Sequence, residues 1–187
     1  MLIGEGMEEK RFFAALLAHL GRTDVQVEQY GGKGGLSRFL EALPSVPGYS
    51  RLVALGITRD ADESATDAKK SVHDALRRAK LEPPGNRIKR LRIHVFILPG
   101  DAAPGMLEDL CLRSVRDDPA MPCVDQFLHC VSQRAGRFPF KEAKARVHAW
   151  LSSQPVPDKR LGEAAEAGYW RFDHPAFDGL KSFVGSL

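Results

Sequence analysis

The sequence predicts an open α/β fold, with a four-stranded parallel sheet flanked by helices and a small helical extension at the C-terminal end. Three observations carry this. Strand-like segments alternate with helical stripes four times between the first residue and about residue 118. The segment RLVALGIT (51–58) is a nearly continuous apolar run, as expected of a strand covered on both faces. From about Pro119 the alternation stops and only helical stripes follow. The expected organisation is one α/β domain over 1–118, with a helical extension over 119–187 packed on it.

Each element has a local reason. Leu2 and Ile3 open a short first strand, and Phe12, Phe13, Leu16, Leu17 and Leu20 then share one helical face, stopped at Gly21. Val25 to Tyr30 alternates as a second strand and runs into the turn Gly31-Gly32-Lys33-Gly34-Gly35. Leu36, Phe39, Leu40 and Leu43 have helical spacing, which Pro44 ends. After the third strand, Ser64 and Asp67 form a capping box for a stripe through Ala65, Ala68, Val72, Ala75, Leu76 and Ala79. EPPGNRIKR (82–90) reads as a basic, turn-rich loop, and LRIHVFIL (91–98) is the strongest strand signal in the chain. Asp101 and Pro104 mark a helix start for Met106, Leu107, Leu110 and Cys111. The extension carries one stripe through Val124, Phe127, Leu128 and Val131, and another through Ala143, Val147, Trp150 and Leu151. A Pro-rich joint then leads to the aromatic tail YWRFDHPAF.

Composition excludes several classes. Hydrophobic residues make up 43% and charged residues 27%, a globular and not a disordered balance. A net charge of +3 is too small to argue for a nucleic-acid partner by itself. Cys111, Cys123 and Cys130 are odd in number and form no C-x-x-C pair, against a disulfide framework or structural zinc. With no long apolar run and no signal-peptide pattern at MLIGEGMEEKRFF, the expectation is a cytoplasmic protein without a membrane partner. Cys123 and Cys130 read as small core residues. No histidine pair has ligand spacing, and no G-x-S-x-G elbow occurs.

The chemistry lies in where the acids fall. Open parallel sheets bind ligands beyond the carboxyl ends of their strands. Glu5 follows the first strand, Asp60 and Asp62 follow the third, and Glu108 opens the helix after the fourth. In a flavodoxin-like strand order the first and third strands are neighbours, so these acids flank one crevice. Glu9, one helical turn after Glu5, adds another. Asp60 and Asp62, two apart, point the same way if the segment is extended. Converging carboxylates repel unless a cation neutralises them, and an all-oxygen set suits Mg²⁺ or Mn²⁺. Taken singly, each acid also fits a helix cap or first turn.

The motifs GEGMEEKRFF, QYGGKGGLSRFL, LGITRDAD and ILPGDAAPGMLEDLCL resemble a small bacterial family, DUF3226, usually grouped with the OLD-like proteins of the Toprim class. The resemblance implies a Toprim-like fold in which Glu5 is a metal ligand or general acid/base and Asp60 and Asp62 bind metal. Glu9 and Glu108 would help hold a second ion, and Lys141 or Lys144 would offset transition-state charge. The implied activity is metal-dependent hydrolysis of DNA or RNA phosphodiesters. OLD proteins carry an ATPase, but no G-x-x-x-x-G-K-[ST] occurs here, so that activity would come from a separate partner. Assembly with further copies of the chain is open.

Lys33, Arg59 and Arg137 are the candidate phosphate contacts. Arg137 belongs to a basic group with Arg134, Lys141, Lys144 and Arg146, whereas Lys80, Arg87, Lys89, Arg90 and Arg92 fall at the opposite end of the sheet. Trp170, Phe172 and Phe177 either stack on bases or pack the tail onto the sheet, and packing is the expectation. Two alternatives stand beside the nuclease: a catalytically silent Toprim interaction module, and a phosphoacceptor receiver. The receiver expects a Ser or Thr closing the fourth strand, where this chain has Leu98-Pro99-Gly100.

Overall fold

The computed structural model describes residues 1–81 and 91–187, so the basic loop 82–90, with Arg87, Lys89 and Arg90, lies outside the described residues. Strands β1 (Leu2–Gly4), β2 (Val27–Gln29), β3 (Ala54–Asp60) and β4 (Arg92–Leu98) form one all-parallel sheet in the order β2-β1-β3-β4. This is a flavodoxin-like order, with β1 and β3 adjacent at its centre. Leu2 and Ile3 point to opposite faces, as successive strand residues must, and each enters a different apolar core.

Helices α2 (Gly35–Ala42) and α3 (Ala65–Arg78) cover one face. Leu36 and Leu40 of α2, with Val72, Ala75 and Leu76 of α3, pack there against Ile3, Leu55 and Ile57. Helices α1 (Met7–His19) and α4 (Leu107–Ser114) cover the other face. They share their core with the C-terminal helices α5 (Met121–Ala135), α6 (Glu142–Leu151), α7 (Leu161–Glu166) and α8 (Asp178–Gly185). Helix α7 lies tight on α1 because Gly162 has no side chain: a Cβ there would stand 2.7 Å from Cβ of Arg11 and 2.8 Å from the Glu8 carbonyl oxygen. Glu8 accepts a hydrogen bond from the Gly162 N–H at 2.8 Å, and Arg11 pairs with Glu163 at 2.6 Å. Among the described residues no helix is long and apolar enough to cross a membrane.

The expected elements form with shifted ends, and three expectations about exposure need comment. Trp170, Phe172 and Phe177 are buried, with Trp170 stacked on Trp150 at 4.8 Å, so packing and not base stacking is their role. Cys123 and Cys130 are exposed, not core residues, and Phe127 between them is also exposed. The helical period groups those residues on one face of α5, but among the described residues no neighbouring element covers that face. Leu20 at the end of α1 is likewise 36% exposed.

Two loops meet at the carboxyl end of the sheet. Asp62 and Gly105 exchange backbone hydrogen bonds of 2.8 and 2.7 Å, tying the segment after β3 to the one before α4. Gly105 has φ +128, and a Cβ there would lie 2.7 Å from the Asp109 carboxylate. Replacing Gly105 with alanine therefore strains the loop, with an expected loss of about 1–3 kcal/mol of stability. Urea denaturation measures it, and an unchanged midpoint would mean that the loop is not constrained.

Candidate functional site

The pairing of β1 between β2 and β3 sets the site. Glu5 follows β1 directly, and its carbonyl oxygen accepts N–H bonds from Gly31 and Gly32 at 3.1 and 2.8 Å, which fixes the backbone beneath its side chain. One oxygen of that side chain, Oε2, is buried without a hydrogen-bond partner among the described residues. Glu9 bends back to accept the Gly6 N–H at 2.9 Å and so caps its own helix. Asp60 closes β3 and accepts the N–H of Leu107, the first residue of α4, at 3.1 Å.

Electrostatics shows which acids meet. The Asp60 carboxyl is pushed up to about 8, first by burial and then by the charges of Glu9, Glu108 and Glu5, against the opposing Leu107 hydrogen bond. Glu9 is also raised, first by burial and further by Glu5 and Glu108, while hydrogen bonds from its own N–H and from Gly6 oppose the shift. Glu5, Glu9, Asp60 and Glu108 thus lie within mutual electrostatic reach. Lys144 joins them. Burial lowers its pKa, but its hydrogen bond to Glu108 at 2.5 Å and the charges of Glu108, Asp60 and Glu9 outweigh that and hold it raised.

Asp62 stands differently. Its φ of 50 breaks the extended course that would have pointed it the same way as Asp60. Its carboxylate pairs with Lys33 at 2.5 Å and faces Lys141 at 3.7 Å. Asp60, Asp62, Lys33, Arg59 and Lys141 line one open cleft of about 820 Å³, while Glu108 and Lys144 line a neighbouring hollow. Among the described residues no three His, Cys, Asp or Glu side chains are arranged to hold a metal ion. Lysines thus pair with both Asp62 and Glu108.

The phosphate candidates divide. Arg59 donates to the Lys33 carbonyl at 3.0 Å, bracing the glycine turn, and its Nε is buried without a partner among the described residues. Arg137 sits in the exposed connection between α5 and α6, outside the residues that line the cleft.

Two participants escaped the sequence reading. Asp109 lines the cleft, and its carboxyl is raised, first by burial. Its place beside Glu108 in the first turn of a helix made it look like an ordinary helix-start acid. Phe140 also lines the cleft, and the signal for it was the mixed aromatic and basic run RFPFK (137–141).

One sequence family, described as a protein of unknown function (DUF3226), matches residues 1–187. No curated protein and no solved structure matches the chain.

The raised acids fix a pH dependence. Between its unfolded pKa near 4 and its folded value of about 8, Asp60 keeps its proton in the native state and loses it on unfolding. Metal-free protein should therefore lose stability as pH rises through that window and level off above it. Urea midpoints in chelator from about pH 4 to 9 test this, with Asp60→Asn expected to show a shallower slope. Parallel curves for the two proteins would remove Asp60 as the source.

Proposed function

The chain belongs to the DUF3226 family, and we propose that it is a divalent-cation-dependent phosphodiesterase acting on nucleic acid, of the Toprim and OLD-like kind. The observation that carries this is the gathering of Glu5, Glu9, Asp60 and Glu108 at the carboxyl edge of the sheet, where burial first, and then the neighbouring carboxylates, raise the Asp60 carboxyl to about 8. Lys144 feels the charges of Glu108, Asp60 and Glu9 and is hydrogen-bonded to Glu108. Glu5 Oε2, without a hydrogen-bond partner among the described residues, fits a site with room for further positive charge.

Mg²⁺ or Mn²⁺ would suit an all-carboxylate donor set, but Glu5, Glu9, Asp60 and Glu108 are not arranged as a ready ion site among the described residues, so they would have to draw together to hold one, with Asp62 joining once released from Lys33. Bound there, one or two such ions would supply the charge that activates water and stabilises a leaving oxygen in phosphodiester hydrolysis. The protein's own groups do the rest. Glu5, whose Oε2 meets no hydrogen-bond donor among the described residues, would serve as the proton acceptor. Lys141 and Lys144 bring positive charge to the rim on which a phosphate would gain negative charge. Lys33 and Arg59, joined through the glycine turn, hold the neighbouring backbone phosphate. Any ATPase acting with this site would come from another chain.

A second reading rests on the ion pairs of Asp62 with Lys33 and Glu108 with Lys144. A rim whose acids carry their own counterions also suits a silent Toprim module that serves as an interaction subunit.

Incubation with plasmid and single-stranded substrates in Mg²⁺ or Mn²⁺ separates the two. Wild-type protein should cleave, and Asp60→Ala should lose about 100-fold or more of that rate. Mn²⁺ should raise the melting temperature of the wild type and not of the variant. Equal cleavage by both would assign the activity to a contaminant. Metal binding without cleavage would favour the silent module.

A further inference from the structure

The connection between α5 and α6 carries two phenylalanines that the fold does not use. Phe140 is 95% exposed and Phe138 is 50% exposed, within the run Arg137-Phe138-Pro139-Phe140-Lys141. The chain's other large aromatics mostly build its cores: Trp150, Trp170, Phe12, Phe13 and Phe177 are all within 2% of full burial. An aromatic ring left in water costs hydrophobic stabilisation that a partner face would recover.

The position of these rings says what that partner is. Phe140 lines the same cleft as Asp60 and Asp62, and the next residue, Lys141, faces Asp62 at 3.7 Å. Lys33 and Arg59 line that cleft too, and Arg137 flanks the rings in sequence. Exposed aromatic rings interleaved with cations are how proteins hold unpaired nucleotides: rings stack on bases and cations track the phosphates. A duplex keeps its bases stacked on one another and offers these rings no free face. An apolar protein groove would match the rings but offer nothing to Arg59 and Arg137, which, unlike Lys33 and Lys141, pair with no carboxylate among the described residues.

We propose that the 137–141 segment is a stacking platform that selects single-stranded nucleic acid and feeds it into the acidic cleft. This rests on the phosphodiesterase reading for its choice of nucleic acid, and it adds the strand state of the substrate.

Fluorescence anisotropy with labelled oligothymidylate of about 12 nucleotides, against a duplex of equal length, tests it in chelator, where no cleavage occurs. The full-length wild type should bind the single strand about tenfold more tightly than the duplex. Phe140→Ala should lose about tenfold in single-strand affinity, with duplex affinity and melting temperature unchanged. Phe140→Trp should restore binding, and its indole emission should be quenched as the oligonucleotide is added. Equal single-strand affinity for Phe140→Ala and wild type would overturn the platform, as would equal affinity for the two strand states. Absence of oligonucleotide binding by either protein would also overturn it, and would turn the exposed rings over to a protein partner. The cleavage assay reads separately. Phe140-dependent binding without cleavage in Mn²⁺ removes the nuclease reading and leaves the platform; cleavage with Phe140→Ala binding as wild type removes the platform and leaves the nuclease.

Discussion

Like charge crowded onto a half-buried rim is the constraint around which the carboxyl edge of this sheet is built. The parallel pairing of β1 with β3 fixes it, because that pairing places the end of β1, with Glu5 after it, beside the end of β3, which Asp60 closes. Helix α1 turns back over the same edge and brings Glu9, and α4 begins there and brings Glu108. Three of these four acids have a local compensation: the Gly6 N–H for Glu9, the Leu107 N–H at a helix start for Asp60, a lysine for Glu108. These are enough to let the chain fold and not enough to bring the Asp60 carboxyl back to its ordinary range. Sites that store repulsion in this way are usually kept for a ligand that relieves it.

How much of this was legible in the sequence depends on the range of the interaction. The apolar run of β3 and the stripes of α1 and α3 are set by near neighbours, and the chain shows them directly. The convergence of Glu5, Asp60 and Glu108 needed only the strand order, which follows from the alternation of elements. Other features depend on contacts between distant residues. Lys144 reaches Glu108 across 36 positions, and nothing in either neighbourhood announces it. Asp62 was expected to follow its strand, but the backbone exchange with Gly105 turns it into the left-handed region. Helix α5 shows the same limit. Its period groups Cys123, Phe127 and Cys130, but whether that face is covered depends on the placing of neighbouring helices.

The aromatic residues divide along the same line. The tail YWRFDHPAF and the run RFPFK both mix rings with positive charge, so composition ranks them alike. The tail closes the larger core, with Trp170 donating its indole N–H to the Leu161 carbonyl at 2.9 Å and Phe172 and Phe177 packing on Phe12. In the other run the connection between α5 and α6 leaves Phe138 and Phe140 in solvent.

The close fit of α7 on α1 also bears on how the molecule is made. Helix α1 leaves the ribosome well before the residues that cover it, for Gly162 follows Glu8 by 154 positions, and Glu163 and the rings of Phe172 and Phe177 that pack on Phe12 come later still. The apolar side of α1 turned away from the sheet must therefore wait until the C-terminal helices have emerged. During that interval the growing polypeptide offers chaperones a large oily surface, and ribosomes that stall before the final helices would release a sticky product.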